Sequence, residues 1–429
     1  MRKNRFIRLA SSAVIATSLT LLLCGCRGKG YFKFEGKTYE DSYDFKNDYG
    51  YIYLEKTNEK VAKFYEETYL KMKEFDHKKQ SVKEDMCHTL FYEGNLNSGT
   101  YTYDDMYQGY MYLTAYNPQF YWMSYILDED TGDYSLGIAR AYAKASERNR
   151  YEKETNNGIK KIDKLLKGVE DKFDKIKIIS DYIMDNMAYA FDENGKPSQE
   201  QWAHSITGFF DRNTGVCESY AKVFKLLCDR YDIGNIPVTS EDHIWNLVEY
   251  DNEWYVFDLT YDDDNNYTYF GKTEEVYDDA SHIYHIDLYP LPENMAKTPL
   301  SLGKIELKES GKTIYSSHSM DYIMSKLNNR NYEVIMNYAD NLRLTYFYIS
   351  NINMEYESLT ISGNQKDDAR VIMYLDNDIT ITKDIALSNF SISSYKARKI
   401  VLEDSIIILD NIKIGNLITI EGDSIVTIE

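Results

Sequence analysis

Apolar residues recur at helical spacing in three stretches of the chain. Val61, Phe64, Tyr65, Thr68, Tyr69 and Met72 mark the first. Phe173, Ile176, Ile179, Ile183 and Met187 form a stronger stripe over about 169–187, ending before the turn Asp192-Glu193-Asn194-Gly195. The third is the most complete. Cys217, Tyr220, Ala221, Phe224, Leu227, Cys228 and Tyr231 share one face of a helix predicted over 217–231, with Gly234 expected to stop it. The period then shortens to two. Strands are predicted over 243–250, 253–259 and 267–270, with Asp251-Asn252 as the hairpin turn between the first two. Residues 92–150 mix aromatic-rich segments with turn signals at Asn95, Asn97, Gly99, Asp130, Gly132 and Asp133, which read as strands and short helices.

Pro290, Pro292 and Pro299 form a cluster, and no proline follows it. Beyond it the character of the chain changes. The triplets Leu359-Thr360-Ile361, Ile379-Thr380-Ile381, Ile400-Val401-Leu402 and Ile418-Thr419-Ile420 recur at spacings of 20, 21 and 18. Acidic, Asn or Gly residues follow within a few positions, and strand-like runs such as 406–409 lie between. A period near 20 predicts a β-solenoid whose coils stack on their neighbours. An antiparallel sandwich with evenly spaced strands is the alternative. The expected fold class is α+β, a mixed core followed by a mainly β region. The expected divisions are a leader at 1–25, a tether with a short tyrosine-rich β segment at 26–57, an α/β region at 58–160, the core at 161–297 and the β-rich part at 298–429. Few contacts are expected to cross the proline cluster.

The 429 residues are 43% hydrophobic and 28% charged, too apolar for a disordered chain and enough for two or three domains. The 69 acids against 49 bases give a net charge of -20, which argues against nucleic acid as a partner. The 41 tyrosines assign no function by themselves.

The first residues stand apart. Arg2, Lys3, Arg5 and Arg8 precede an apolar run over 9–23, the pattern of a secretory signal and too short to span a bilayer well. The run ends in Leu23-Cys24-Gly25-Cys26, which resembles the lipobox of bacterial lipoproteins. That resemblance implies cleavage before Cys26 and a lipid on its thiol, with cleavage before Cys24 as the lesser option. It implies a chain anchored on the extracytoplasmic face of a bacterial cell membrane. The mature chain keeps 45 bases against 69 acids, so the anchor rather than attraction to anionic lipid must hold it. After Cys26 only Cys87, Cys217 and Cys228 remain. The last two would lie about 16 Å apart along one helix and cannot bridge.

Three segments can carry chemistry: Gly215-Val216-Cys217-Glu218-Ser219-Tyr220-Ala221, His243-Ile244-Trp245-Asn246, and Trp254-Tyr255-Val256-Phe257-Asp258-Leu259-Thr260. A thiol at a helix start faces unpaired N–H groups and the positive helix end, which favour the thiolate. A turn at 251–252 pairs residues whose numbers add to 503. That sets His243 opposite position 260, with Asp258 diagonal to it on the same face. There a carboxylate can orient an imidazole that serves the sulfur. Each residue alone has a plain structural role available. Their order, helix start and sheet side agree only as a nucleophile, base and orienting acid.

These segments resemble the transglutaminase-like superfamily, which has a papain-like cysteine-protease fold. The matched pattern is Gly-x-Cys-x-x-Tyr-Ala, then His-x-Trp-Asn, then Trp-Tyr-x-x-Asp. The stretch 116–122 and the helix leading to Tyr189 extend the resemblance upstream. Leu259 and Ser219 depart from common family residues without touching a catalytic position. The resemblance implies Cys217 as nucleophile, His243 as general base and Asp258 as orienting acid. The Cys217 N–H is expected as an oxyanion donor, with a second sought near Tyr189 or Trp202, and Trp245 is expected to wall the site.

His282 and His285 are read as solvent-exposed rather than as metal ligands, and Asp262, Asp263 and Asp264 as a solvated loop rather than a calcium turn. Cys87, next to His88 in sequence, is expected to be buried. No cofactor or metal is expected. The sequence thus predicts an acyl-transferring or hydrolysing cysteine enzyme acting on protein or peptide amides at the cell surface. The alternative is a non-catalytic surface binding protein that kept the fold.

Overall fold

The computed structural model describes residues 49–84, 87, 90–95, 97, 99–128, 130–263, 267–274, 282, 291–309, 312–316, 320–325, 327–328, 330–337, 344–349, 356–364, 370–422 and 424–428. The leader, Cys24, Cys26, His285 and Pro290 lie outside them. Among the described residues no helix is long and apolar enough to cross a membrane.

The first part is helical. Residues 49–57, expected to lie in the tether and β segment, form a helix, α1 (Tyr49–Thr57), that buries Tyr51 and Leu54. Tyr49, Tyr51 and Tyr53 read as strand alternation, but their rings pack on Trp254, Tyr65 and Tyr112, and tertiary packing overrides the local pattern. Helix α2 (Glu59–Glu74) buries every residue of its predicted stripe and is capped by Asn58. Strand β1 (Tyr92–Asn95), helix α3 (Tyr103–Tyr116) and the hairpin β2 (Met123–Leu127) and β3 (Asp133–Ile138) follow. Gly132, at φ 74°, makes the hairpin turn. Cys87 is buried, as expected.

Helix α4 (Ala145–Leu165) leads to α5 (Lys172–Asn186), whose stripe is buried and whose start is capped by Asp171. Two short strands, β4 (Ala188–Tyr189) and β5 (Thr214–Gly215), pair in parallel beside the start of α6 (Cys217–Arg230). Helix α6 ends through Asp232 in the left-handed region at φ 58°, not through Gly234. Gly234 serves close packing instead, since a Cβ there would sit 3.0 Å from Glu249 and Trp254.

Strand β6 (Asn235–Thr239) was not legible, because Pro237 lies within it. It forms the edge of an antiparallel sheet with β7 (Ile244–Tyr250) and β8 (Glu253–Phe257). The pairs Asn246↔Phe257 and Leu247↔Val256 have the predicted register. Asp251 and Asn252 make the turn, both at positive φ. Residues 267–270 are a turn, not a strand, and Lys272 bridges Val256 just after it.

The proline cluster is not free of contacts. Trp254 donates its N–H to the Asn294 carbonyl, and Leu300 donates to Gly271. Leu300 and Leu302 belong to the same apolar cluster as α1–α6. A second cluster runs from Ile305 to Ile418.

The strands of that second part visit three sheets in turn. One parallel ladder stacks Asn331–Asn337, Ser358–Asn364, Ile385–Ser388, Ile407–Asp410 and Ile425–Ile428. A second stacks Leu344–Ile349, Arg370–Leu375, Ser391–Ser393 and Lys413–Ile414. The third stacks Ile379–Ile381, Arg398–Leu402 and Ile418–Glu421. Three of the four predicted triplets share this third ladder. Leu359-Thr360-Ile361 belongs to the first and stacks on Ile385 to Leu387. At the corners, Asn411 donates to Asn389 and Asn364 to Asn337, so polar side chains repeat in register with the apolar ones.

Candidate active site

The turn before α6 fixes Cys217 through its neighbours. Val216 donates its N–H to Ala203, and Ala190 donates to Gly215. A Cβ on Gly215 would meet Met187 and Ser219 at 2.5 Å, so only glycine lets β5 run this close to the helix. Ser219, at a position where glycine is common in the resembled family, donates its hydroxyl to the Ser205 carbonyl at 2.7 Å. Asn246 of β7 donates to the Ala221 carbonyl and to Asn235, which ties α6 to the sheet that carries the other two groups.

His243 stands just before β7 and Asp258 just after β8. The sheet register therefore brings them together, with His243 Nε2 2.6 Å from Asp258 Oδ2. Nδ1 is left for the sulfur, and Cys217 is the other hydrogen-bonding neighbour of the ring. Cys217 is partly exposed, His243 is mostly covered and Asp258 is buried. Burial pushes the imidazole down, but the Asp258 hydrogen bond and the Cys217 neighbour outweigh it and raise its pKa to about 10.

Asp258 holds its charge in spite of burial. Oδ1 accepts the N–H groups of Thr260 and Tyr261 at 2.9 and 3.2 Å, and Oδ2 accepts His243 and His282. Burial pushes the carboxyl up, but the two imidazole hydrogen bonds outweigh it and hold the group below the usual carboxylate range.

His282, expected on the surface, is fully buried, with Nε2 2.9 Å from Asp258 Oδ2. Its ring stacks on Tyr269 at 4.5 Å and meets Trp245 edge-on at 4.9 Å. No motif spacing marks it, because it lies 24 residues beyond Asp258, outside the hairpin that brings the other groups together. Asp262, expected in a solvated loop, is also fully buried and accepts the Tyr269 N–H. Burial is the main cause that pushes its carboxyl up to about 7. Asp264 and His285 lie outside the described residues.

Trp245 stacks near His243 at 5.8 Å and is almost wholly buried, so it forms the floor behind the imidazole. Tyr261, which the sequence did not single out, sits edge-on to the same ring at 4.8 Å and is 45% exposed, so it lies on the open side. The Tyr189 phenol lies against Cys217 and hydrogen-bonds its main chain; burial, then Cys217, push it up to about 12. Trp202 packs in the cluster of Ala190, Ala203 and Val216, under the Arg212 guanidinium at 4.6 Å.

A second polar group lies beside the start of α6. Glu218 accepts from Lys222 at 2.6 Å and pairs with His204 at 2.9 Å. They line a cavity of about 160 Å³ together with Tyr110, Thr114 and Gln201. Among the described residues, His243, Asp258 and His282 offer ligand atoms within 4.8 Å of one another, a set able to hold a metal ion. Hydrogen bonding to one carboxylate oxygen accounts for the same geometry.

Residues 159–259 match the sequence model of the transglutaminase-like superfamily. Three solved structures are similar over part of the chain. A TGase is 16% identical, with a TM-score of 0.23 over 32% of this chain and 43% of that one. A protein described as a candidate cysteine protease from Cytophaga hutchinsonii is 21% identical, with a TM-score of 0.20 over 25% of this chain and 37% of that one. Menin, in a structure described as revealing the binding site for Mixed Lineage Leukemia protein, is 16% identical, with a TM-score of 0.19 over 24% and 25%. The chain thus spans less than half the length of each. No curated protein matches it. The segment that carries Cys217, His243 and Asp258 is a transglutaminase-like core.

Proposed function

We propose that the chain is a cell-surface lipoprotein whose core acts on protein or peptide amides through a thioester acyl-enzyme. The Cys217 thiolate adds to the amide carbonyl, His243 gives its proton to the leaving amine, and the acyl group stays on sulfur. Water then gives hydrolysis, and a second amine gives transamidation. The observation that carries this reading is the hydrogen-bonded line from Cys217 through His243 to Asp258. An imidazole raised to about 10 carries, at neutral pH, the proton that the leaving amine needs.

The Cys217 N–H would serve the oxyanion, so the Tyr189 phenol must yield or share that donor when substrate binds. Cys26 would carry the lipid and hold the site outside the membrane. The three parallel ladders support reading residues 331–428 as a β-solenoid, which would present a large target to the core.

The full chain, incubated with a glutamine-bearing protein and a fluorescent primary amine, should label that protein or release ammonia, and Cys217→Ala should do neither. If His243→Ala also left the alkylation rate of Cys217 unchanged, the binding-protein alternative would replace this reading. Labelling with a fatty-acid analogue should mark the wild type and not Cys26→Ser; equal labelling would remove the anchor.

A further inference from the structure

We infer that His282 is a positioning residue, a second imidazole whose Nε2–H locks the Asp258 carboxylate on which His243 depends. The inference rests on the proposed role of the Cys217–His243–Asp258 line and extends it to a residue outside the motif.

The argument starts from the acceptor capacity of a carboxylate, about four lone-pair sites. In Asp258 four N–H donors fill them: Thr260 and Tyr261 on Oδ1, His243 and His282 on Oδ2. Three of these come from groups that the hairpin and its following turn deliver by local geometry. His282 alone comes from a segment distant from it in sequence. Its Nδ1 is buried and has no hydrogen-bond partner, so among the described residues Asp258 is the one polar group the ring bonds. Tyr269, Trp245 and Tyr261 enclose the ring and set its plane. A buried polar side chain with one satisfied nitrogen and one bare one is costly as mere packing, since an apolar ring of similar shape would fill the same box. The hydrogen bond to a buried, charged acceptor offsets that cost.

His243 reaches the same oxygen at 2.6 Å and His282 at 2.9 Å, with the two rings 5.6 Å apart and nearly perpendicular. His282 therefore fixes the direction in which Oδ2 presents itself to His243. It also helps keep Asp258 ionised where burial opposes the charge. The other groups facing Asp258 are His243 with Cys217 beyond it, and Asp262 with Lys272 beyond that.

The test follows alkylation of Cys217 by iodoacetamide in the full chain, read on the Cys217 peptide by mass spectrometry across pH 4–10. His282→Phe keeps a ring in the box and removes the donor; His282→Gln keeps an N–H near the Nε2 position. The Phe variant should react about tenfold more slowly at pH 7, with its acid limb displaced to higher pH, and the Gln variant should recover most of the rate. Equal rates and limbs in the Phe variant overturn the inference, as does a Gln variant as slow as Phe. Wild type slowed by EDTA and restored by zinc also overturns it, because the three side chains would then be holding a metal. A His243→Ala variant that leaves the rate unchanged overturns instead the reading on which the inference rests. Should the Phe variant not fold, nitrogen-15 NMR of the wild type decides: besides the Nε2–H of His204 on the Ser198 carbonyl, two exchange-protected imidazole Nε2–H protons are expected, from His243 and His282, and a single one besides that of His204 overturns the inference.

Discussion

The helix-rich part of the chain up to Leu302 and the strands from Ile305 on bury their residues in opposite ways. The first encloses charges: Arg148 against the carbonyls of His77, Tyr142 and Gln80, Lys225 on Asp229, and Asp258 between two imidazoles. In the second, the buried polar residues among those described are Thr345 and Ser405. Parallel strands stacked in register need only apolar side chains at matching positions, since each strand pairs with the equivalent strand before it. A buried charge is expensive unless donors meet it. Where this chain retains buried charges, donors are arranged around them, and the fullest arrangement surrounds Asp258.

The largest test of that contrast is Asp258→Ala. It would leave two imidazole N–H groups and two main-chain N–H groups without their acceptor. Turnover should fall by about 10³-fold or more, and unfolding should become easier by about 3 kcal/mol. A melting curve and an amide-hydrolysis assay check it together. A variant that is stable but inactive would separate the site from the scaffold; one that keeps activity would remove Asp258 from the mechanism.

Where the two regions part can be located by truncation. The proline cluster suggested a cut near residue 298. The structure moves it, because Leu300 and Leu302 fill the first core and Leu300 is bonded to Gly271. A chain ending at 298 should therefore melt earlier than one ending at 304, by the worth of two buried leucines, about 2–5 kcal/mol each. The longer form should keep Cys217 reactive. Loss of reactivity in both would mean that contacts such as Lys272 to Tyr348 are part of one core, and the contrast drawn above would fall.

Within the parallel ladders the expected effect is smaller and local. Ile407 stacks between Ile385 and Ile425 and is fully buried. Ile407→Ala should cost about 2–4 kcal/mol of local stability in this ladder, read by hydrogen exchange, while leaving Cys217 alkylation unchanged. A slower thiol in that variant would couple the regions.

What could be read in the sequence follows the range of the interactions. The helix stripes and the register across Asp251-Asn252 are local, and they carried Cys217, His243 and Asp258 to their places. The recurrence of the triplets was visible, but which of them share a sheet was not, because Leu359 to Ile361 has the same pattern of outer apolar residues as the triplets of another ladder. Strand β6 was hidden by Pro237, which an edge strand tolerates. Tyr49 to Tyr53 carried a strand-like pattern that packing on Trp254 and Tyr112 overrode. His282 and Asp262 looked like surface residues because their burial is set by a non-local return of the chain.

The last prediction concerns Asp262, the acid beside Asp258, and it shows only as a dependence on pH. Its Oδ1 accepts the Tyr269 N–H, its Oδ2 has no hydrogen-bond partner, and among the described residues no imidazole is hydrogen-bonded to it. Burial, and then the Asp258 charge, hold its carboxyl near 7, well above an ordinary aspartate. The sign of the pH effect follows. Between about pH 4 and pH 7 the folded chain retains a proton there that the unfolded chain has lost, so this group makes stability fall as pH rises through that window. Asp262→Asn cannot ionise and lacks the penalty. Its stability relative to wild type should grow from pH 4 to pH 8, by about 4 kcal/mol. Denaturant melts at the two pH values measure this directly. Two acids four residues apart would then behave oppositely, because one is met by four donors and its neighbour is not. If the melts of variant and wild type stay parallel, Asp262 is ionised at no cost, and donor count is not what separates the two.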